Sequence, residues 1–530
     1  MIRALAIAFV VAACSGPQIS GTACNDDKDC NLFNAQGRCE STGWCSFPDE
    51  TCASGHRYSP GAGDGFGNAC VDGAATCGAK DQACCGTGVC GANLTCATEV
   101  GTCQCGASGQ PCCDGTMCGT GLFCGAGAVC GSSEVLQAAV GAGHACVLFT
   151  DNSVACWGYD WKPFAGVPGK GDSVIASARP TAIAGANDIV ELRAAEMHTC
   201  GRKLDGTLWC WGHNEDGQLG NAMNANSKVA VQVSGLSNVT LFDGGRTHTC
   251  ALGTFNTMSG LWCWGRGGEG NPRSATQPTG KLGNNSSADS NVPVKVDLTT
   301  AAAMGQTVKS LSTGAYHSCI VMSDNKTWCW GRNANGELGN GTTTPSKVPV
   351  EVGYAAITIP SGVTVDQVSC SDGRRKQGST CILLSNGTVY CWGANSVGEL
   401  GDGTTATTPR MAPSTAVNTS GMGGVKIVQI VAAQFAKCAR TDDASIWCWG
   451  QNKNGIIGID DPMQTNHPMP VKVNVLSTVT HVDMSHRLVC AVDSAKQLYC
   501  WGTNRRGQAL AIPPTTESEG LVLQPTRVMF

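Results

Sequence analysis

The sequence predicts an all-β protein in which a seven-bladed β-propeller follows small disulfide-rich modules. The first observation is the tripeptide Cys-Trp-Gly, which occurs seven times with successive copies 52 to 66 residues apart. The second is an earlier cysteine that precedes each copy by one short hairpin. A period of this size indicates an array of similar units, and seven units of four short strands fit a closed propeller. The third observation is the total of 34 cysteines among 530 residues, which indicates an oxidising compartment.

The N-terminal residues predict a secretion signal. Met1-Ile2-Arg3 is a short positive region, and Ala4 to Ala13 is apolar but too short to span a bilayer permanently. Val11-Ala12-Ala13-Cys14 resembles the lipobox of bacterial lipoproteins, in which the peptide is cut before a cysteine whose sulfur carries a diacylglycerol. The resemblance implies a signal peptide at 1–13, lipidation of Cys14 and a tether at 14–23. The alternative is an ordinary secretion signal cut after an Ala-x-Ala-like site.

The segment from 24 to 130 is rich in cysteine and poor in large apolar side chains. Six cysteines fall in a first module, 24–76, and the twelve in 77–130 form two series of six at nearly constant offset, which indicates tandem modules. Such small pieces cannot build a sufficient core, so disulfides are expected to replace it. A metal site is the alternative for Cys84-Cys85 and Cys112-Cys113, but the Cys-x-x-Cys pairs and partner histidines of zinc sites are absent. We therefore predict no metal and no cofactor, and the pairing within the modules stays open.

Each later repeat contains a hairpin that places two cysteines opposite each other. In the second copy the cysteines are symmetric about Asp205, so a three-residue loop, Leu204-Asp205-Gly206, is expected. Its last position needs a left-handed backbone, which Asn152, Gly206, Asn325 and Gly387 supply, whereas Ala444 and Lys496 depart from the rule. The third repeat is longer and is expected to carry a wider loop around Asn256 to Gly260.

Directly opposed cysteines on antiparallel strands approach to disulfide distance. Seven cross-strand bridges are predicted: Cys146 with Cys156, Cys200 with Cys210, Cys250 with Cys263, Cys319 with Cys329, Cys381 with Cys391, Cys438 with Cys448 and Cys490 with Cys500. Buried free thiols are the alternative. Cys370 is the odd cysteine of this region, either a buried thiol or a link to a partner. With Cys14 lipidated, the front end keeps an even number of cysteines.

A turn-rich tail follows Cys-Trp-Gly, as in residues 212–220, 331–339 and 393–401. The combination His-x-Cys, Asp-Gly, Trp-Gly and Gly-x-Asn-x-x-Gly-Gln-Leu-Gly resembles the regulator of chromosome condensation repeat family. The resemblance covers about residues 135–530 and implies a seven-bladed propeller. The final residues, from Gln524 to Val528, match the segments Val292–Val296 and Val348–Val352, so we expect the C-terminal strand to complete the first blade and seal the ring.

Several patterns suggest chemistry that simpler structural roles explain. His144, His198, His248 and His317 each stand two residues before a repeat cysteine, but one histidine per blade cannot form a metal ring; a bond to neighbouring backbone is expected. The glycine-rich tail lacks the strand, helix and lysine of a phosphate-binding loop, and turn chemistry explains it. The tryptophans beside the repeat cysteines are expected to pack between blades; exposed rim tryptophans would instead mark a protein or glycan site.

The sequence therefore predicts a noncatalytic binding or scaffold protein, lipid-anchored at a bacterial outer membrane or cell surface and otherwise periplasmic or secreted. No Gly-x-Ser-x-Gly or His-Glu-x-x-His run is present, so no catalytic residues are predicted. The net charge of −5 without a Lys/Arg stripe argues against nucleic acid. An unknown protein is the preferred partner, with a glycan or adhesion role as the alternative and a hydrolytic enzyme less favoured. The contact surface is expected on the face with the longest loops, at 265–283 and 354–363.

Overall fold

The computed structural model describes residues 134–158, 177–268, 279–301, 306–371, 377–474, 476, 478–485, 487–504, 507–509 and 520–528, with backbone only at 177–179 and in short strands before residue 133. The chain divides into two units, Met1–Gly131 and Ser132–Phe530. The predicted signal peptide, Cys14 and the tether lie outside the described residues. Two 3-10 helices, Ser420–Met422 and Lys453–Gly455, occur in the described part, where no helix is long and apolar enough to cross a membrane.

In the first unit, the backbone of seven short strands is described. Arg38–Cys39, Cys45–Pro48 and His56–Tyr58 form a three-stranded sheet. Thr95–Ala97 pairs with Thr102–Gln104, and Leu122–Cys124 pairs with Cys130–Ser132. These two hairpins stand at equivalent positions of the two tandem cysteine series. The cysteine pairing of the modules lies outside the described residues.

The second unit is a propeller of seven four-stranded antiparallel sheets, which confirms the predicted fold class. We number the blades in chain order and call their strands inner, second, third and outer. The inner strands are Val135–Val140, Ile189–Ala194, Leu236–Gly244, Val308–Thr313, Val365–Cys370, Ile427–Ala432 and Val479–Met484. The second strands are His144–Phe149, His198–Lys203, His248–Phe255, His317–Met322, Ser379–Leu384, Ala436–Thr441 and Leu488–Asp493.

The third strands carry Cys-Trp-Gly, and the outer strands follow the turn-rich tails. The third strands are Val154–Gly158, Leu208–Gly212, Met258–Gly265, Thr327–Gly331, Val389–Asn395, Ile446–Gly450 and Leu498–Thr503. The outer strands are Ser177–Ala182, Ser227–Gln232, Ser290–Lys295, Ser346–Glu351, Ala406–Arg410, His467–Lys472 and Leu521–Arg527.

The apolar core lies between adjacent blades. One buried cluster, for example, joins Leu208 and Leu219 of blade 2 to Phe242 and Trp264 of blade 3. A sheet covered on both faces buries nearly every position, and the third strands of blades 1, 4 and 6 are buried throughout. Each blade therefore depends on its neighbours for its hydrophobic stabilisation.

The predicted closure by a shared strand is wrong. The C-terminal strand Leu521–Arg527 pairs with the third strand of blade 7 and not with blade 1. Blade 1 has its own inner strand, Val135–Val140, and its own outer strand, Ser177–Ala182. The segments that Gln524 to Val528 match are outer strands that end a blade, so the last copy ends blade 7 in the same way. The ring closes by contacts between two complete blades.

The hairpin loops adopt the left-handed conformation that the spacing predicts. Asn152, Gly206, Asn325 and Gly387 have positive φ, and so do the exceptions Ala444 at 61° and Lys496 at 59°. The wider loop expected in the third repeat is wrong. There the two strands extend in register to Phe255 and Met258, and Asn256-Thr257, both at positive φ, close the hairpin.

In the structure, a disulfide joins the second and third strands of every blade at the cysteines that the sequence pairs. The bridges run from Cys146 to Cys156, from Cys200 to Cys210, from Cys250 to Cys263, from Cys319 to Cys329, from Cys381 to Cys391, from Cys438 to Cys448 and from Cys490 to Cys500. The bridged Cα atoms lie 4.0 to 4.1 Å apart, the spacing of closely approaching antiparallel partners.

The remaining cysteine of the propeller, Cys370, ends the inner strand of blade 5. It is a buried free thiol, as one of its two predicted roles requires. Burial is the main cause that raises its pKa above the ordinary value.

Candidate functional site

The tryptophan of Cys-Trp-Gly links each blade to the one before it. In six blades its indole Nε1 donates to a backbone carbonyl in the preceding tail: Trp264 to Gln218, Trp330 to Lys281, Trp392 to Glu337, Trp449 to Glu399, Trp501 to Ile456 and Trp157 to Gln508. The expected packing between blades is therefore observed. Among the described residues, no tryptophan is fully exposed.

The turn-rich tail is built around this contact. Asn214 donates through Nδ2 to the carbonyls of Met223 and Ala225, while its Oδ1 accepts from the backbone of Leu219. Gly220 has a φ of 68°, and a Cβ there would lie 2.6 Å from the indole nitrogen of Trp264. Only glycine fits such a position. The motif therefore serves the join between blades, as turn chemistry predicts.

The repeat histidines also join blades. The Nε2 atoms of His144, His198, His248 and His317 lie 2.7 to 2.9 Å from a Thr or Ser hydroxyl of the next blade. The prediction that these histidines bond neighbouring backbone is wrong. Their partner is instead a side-chain hydroxyl in the next blade, carried by the residue at position two of its second strand. Burial lowers the pKa of His144 to about 4 and those of His198 and His317 to about 3. These imidazoles are neutral at neutral pH and serve as structural groups.

One group among the described residues has metal-ligand spacing. The ligand atoms of His317, Cys319 and Cys370 lie within 4.8 Å of one another. However, Cys319 is bonded to Cys329, and His317 is bonded to the hydroxyl of Thr380. A thiolate is the form of cysteine that binds metal, so the disulfide removes one ligand of the three.

A central cavity of about 400 Å³ is lined by the ends of the seven inner strands. Two buried aspartates in its wall join neighbouring blades: Asp483 accepts from the Val140 amide at 2.8 Å and Asp243 accepts from the Thr313 amide at 2.7 Å. Burial raises the pKa of Asp243, and it raises that of Asp483 to about 7. His481, adjacent in the blade 7 inner strand, lies 2.8 Å from the Ala138 carbonyl oxygen. The sequence did not predict these groups.

We call the end of the ring where the inner strand turns into the second strand the upper face. The connections between third and outer strands emerge there too, because neighbouring strands are antiparallel. The loop at 265–283 starts and ends on this face, whereas the loop at 354–363 joins an outer strand to the next inner strand at the opposite, lower face. The expectation that both loops mark one contact surface is therefore wrong.

Two positions meet on the upper face of blades 2 to 7. The residue after Cys-Trp-Gly donates its backbone amide to the carbonyl of the residue before the second strand, which pairs His213 with Met197, Arg266 with Thr247, Arg332 with Tyr316, Ala394 with Gly378, Gln451 with Phe435 and Thr503 with Arg487. The backbone repeats, but these side chains do not. Among these pairs, blade 4 combines an aromatic residue, Tyr316, with a charged one, Arg332.

The Tyr316 cluster, formed by Tyr316, Arg246, Lys281 and Arg332, is the centre of this asymmetry. The Tyr316 ring centroid lies 5.7 Å from Arg246 Cζ, 5.8 Å from Lys281 Nζ and 5.2 Å from Arg332 Cζ. These distances are within the range of cation–π attraction. Arg246 also donates a hydrogen bond to the Tyr316 hydroxyl oxygen.

Acidic side chains hold two of these cations. Arg246 Nε lies 3.6 Å from Glu196 Oε1, and Arg332 Nη2 lies 3.3 Å from Glu337 Oε1. Lys281 donates to the Thr247 hydroxyl at 2.7 Å. Burial lowers the pKa of Lys281 to about 7 and raises that of Glu337.

Sequence reasoning missed the Tyr316 cluster because its members come from two blades and each lies in a loop. A position-by-position comparison of the repeats could have identified these residues. Arg246 and Tyr316 stand just before the second strand, where the other repeats have no consistent residue type. Side chains that differ between repeats at positions where the backbone is the same are not needed for the fold, which indicates a role in binding.

Comparison with known families agrees with this architecture. A profile of the regulator of chromosome condensation (RCC1) repeat matches residues 205–252, 324–373, 386–436 and 443–492, and a second RCC1 profile matches 308–337 and 365–399. The ultraviolet-B receptor UVR8 of Arabidopsis thaliana is 28% identical over 310 residues, which cover 58% of this chain and 63% of the receptor. The E3 ubiquitin-protein ligase HERC2 of Mus musculus is 25% identical over 61% of this chain but only 6% of the ligase. The match thus spans less than two thirds of either relative.

Solved structures show the same fold. Prp20p of Saccharomyces cerevisiae has a TM-score of 0.58 at 17% identity and covers 72% of this chain and 87% of Prp20p. Human WBSCR16 has a TM-score of 0.55 at 18% identity and covers 71% of this chain and 94% of WBSCR16. Residues 205–252, 308–436 and 443–492 therefore match RCC1 repeats, and they lie within the seven-bladed propeller that the sequence predicts.

Proposed function

We propose that this protein is a noncatalytic binding protein of the bacterial cell envelope, anchored through a lipid on Cys14, which binds a protein partner with the upper face of its propeller. The observation that carries the proposal is the Tyr316 cluster. Three cationic side chains converge on one aromatic ring. They lie in upper-face loops whose backbone hydrogen bonds repeat from blade to blade, while the side chains do not. Tyrosine and arginine are enriched where proteins bind other proteins.

The relatives support a role in protein binding. Prp20p is described by its binding to Gsp1p and histones, and HERC2 is an E3 ubiquitin-protein ligase. A shared fold does not fix the partner, so we take from them only the use of RCC1 repeats as a binding scaffold.

The central cavity offers the strongest argument for catalysis, since it groups two buried aspartates near His481. Each of these side chains is engaged with the backbone of a neighbouring blade, however, as described for Asp243, Asp483 and His481. A catalytic acid or base must reach a substrate proton. We therefore assign these groups to the join between blades.

Site-specific photo-crosslinking in intact cells tests the binding face. The photoreactive residue p-benzoylphenylalanine would replace Phe435, which is half-buried on the upper face, and, as a matched control, Leu204, which is 79% exposed in a lower-face hairpin loop. We expect one defined protein adduct from the Phe435 variant and none from the Leu204 variant. Equal adducts from both variants, or capture of glycan without protein, would contradict the proposal.

The lipid anchor has a separate test. Metabolic labelling with a palmitate analogue is expected to label the full chain, and Cys14→Ser is expected to abolish labelling and release the protein from the membrane fraction. Cys24→Ser is the matched control, because it removes a nearby cysteine outside the lipobox. Labelling that persists in Cys14→Ser would show that the anchor is elsewhere or absent.

A further inference from the structure

The charges of the upper-face cluster are layered. The side chain of Arg246 is 33% exposed above Glu196, which is 1% exposed, and that of Arg266 is 24% exposed above Asp216 at 15%. In both pairs the carboxylate is less exposed than the guanidinium. Buried Glu196 holds Arg246 in place, and Arg246 is the partly exposed cation of the Tyr316 cluster, because Lys281 and Arg332 are buried.

Such an arrangement is a preorganised anion-binding site. A fixed guanidinium loses little conformational entropy when it binds, and its planar fork matches a carboxylate with two parallel hydrogen bonds. The Tyr316 hydroxyl accepts from Arg246 and still has its own proton to donate. Arg246 and Tyr316 together therefore offer donors to one carboxylate from adjacent blades.

We infer that the Tyr316 cluster binds an acidic segment of the partner protein, with a Glu or Asp carboxylate seated on Arg246 and Tyr316, its two partly exposed members. This inference rests on the proposed function and names the chemistry of the partner. The partly exposed tyrosine ring adds apolar contact area beside the charge, which favours a peptide over a small inorganic anion. The net charge of −5 gives a nucleic acid no general attraction.

Lys281 provides a reporter for the bound anion. It is fully buried with its Nζ 5.8 Å from the Tyr316 ring centroid, and burial lowers its pKa to about 7. An opposite charge that arrives nearby favours the protonated form and raises the pKa. Binding of a carboxylate at pH 7.5 is therefore expected to take up a fraction of a proton.

The first experiment measures binding of a synthetic octapeptide of alternating Glu and Asp to the full chain by titration calorimetry. The matched control peptide has Gln and Asn at the same positions. We expect the acidic peptide to bind, its affinity to fall at least about tenfold between 50 and 300 mM salt as paired charges are screened, and the amide peptide not to bind. Titration in buffers of different ionisation enthalpy is expected to show proton uptake.

The second experiment uses variants. Arg246→Gln and Tyr316→Phe are each expected to weaken acidic-peptide binding by about tenfold, the loss of one charge-assisted contact. Arg202→Gln, which removes an arginine paired with Glu191 in the lower half of blade 2, is expected to bind as the unchanged protein does. Tyr316→Phe keeps the ring and removes only the hydroxyl, so it remains informative if Arg246→Gln fails to fold.

The outcomes separate this inference from the proposed function. Equal binding of the amide peptide, unchanged binding in both cluster variants, or displacement of the peptide by equimolar inorganic phosphate would overturn the acidic-peptide inference. If protein adducts at position 435 persist in that case, the proposed function stands without it. If acidic peptide binds but no protein is crosslinked at the upper face, the proposed function fails and the site is only an anion receptor.

Discussion

Trp157 of blade 1 donates a hydrogen bond from its indole Nε1 to the backbone carbonyl oxygen of Gln508 in the tail of blade 7, at 3.1 Å. The same bond joins five other pairs of adjacent blades, but in those pairs the chain itself also runs from one blade to the next. Blades 7 and 1 have no such link and no shared strand. Their join also includes the bond from the Val135 amide to the Lys496 carbonyl and the contacts of Asp483 and His481.

Trp157→Phe tests this closure. The change removes one hydrogen bond between the two blades together with packed atoms of a buried indole, so we expect the free energy of unfolding to fall by about 1–3 kcal/mol. Trp330→Phe removes the equivalent bond within the ring and is the matched control. Hydrogen exchange is expected to accelerate at the Val135 and Val140 amides in Trp157→Phe only. Equal acceleration in both variants would show that the closing join is no weaker than the others.

Asp483 predicts a stability that falls as pH rises. Its folded pKa of about 7 lies above the ordinary 3.8, so its contribution is fully present below pH 3.8 and is lost as pH rises through 7. The difference corresponds to roughly 4 kcal/mol. Asp483→Asn keeps an oxygen that accepts from the Val140 amide and removes the charge. Thermal unfolding is expected to show a higher Tm for this variant at pH 8 and little difference at pH 4; equal destabilisation at both would refute the argument.

The buried histidines predict the opposite dependence at acid pH. Their folded pKa values are depressed below 6.5, so the stability they contribute is present above pH 6.5 and is lost as pH falls through about 4 and 3. For His144 the effect amounts to roughly 3 kcal/mol. We expect the Tm to fall between pH 6.5 and 4, and His144→Gln, whose side chain does not titrate, to show a shallower fall. An unchanged slope would mean that other groups control acid unfolding.

Ala444 offers a stabilising substitution. It occupies the left-handed loop position at a φ of 61°, which costs an L-residue with a Cβ about 1 kcal/mol. Ala444→Gly is expected to raise the free energy of unfolding by about 0.5–1 kcal/mol, measured by urea denaturation. Gly206→Ala, at the same position of blade 2 with a φ of 78°, is expected to lower it by a similar amount. A loss of stability in Ala444→Gly would contradict this account of the loop.

Cys370 and the seven bridges predict a simple labelling pattern. The native Cys370 thiol is buried and its pKa is raised, so it is expected to resist alkylation at pH 8. After denaturation without reductant, peptide mapping is expected to find Cys370 as the alkylated cysteine of residues 132–530. Alkylation at the hairpin cysteines, for example at Cys156 or Cys210, would show that the bridges do not form.

The sequence did not predict how the ring closes because an outer strand looks the same in every unit. Gln524 to Val528 fits blade 1 and blade 7 equally well by pattern, and only the strand before the first hairpin decides between them. Val135-Leu136-Gln137 resembles Val365-Asp366-Gln367, so a signal for that inner strand was present. In both strands the glutamine side chain bonds the backbone of the next blade.

The sequence by itself determined the propeller, its seven hairpins and their cysteine pairs, because these features depend on residues about ten positions apart and recur in every unit. Even Ala444 and Lys496, which broke the turn rule, adopt the expected backbone because the strands on either side fix it. Only the tertiary structure decided which blades meet at the ends and which side chains gather on the upper face. Arg246, Lys281 and Tyr316 lie in separate loops of two blades, and only the packing of whole sheets around the ring brings their charges to one aromatic side chain.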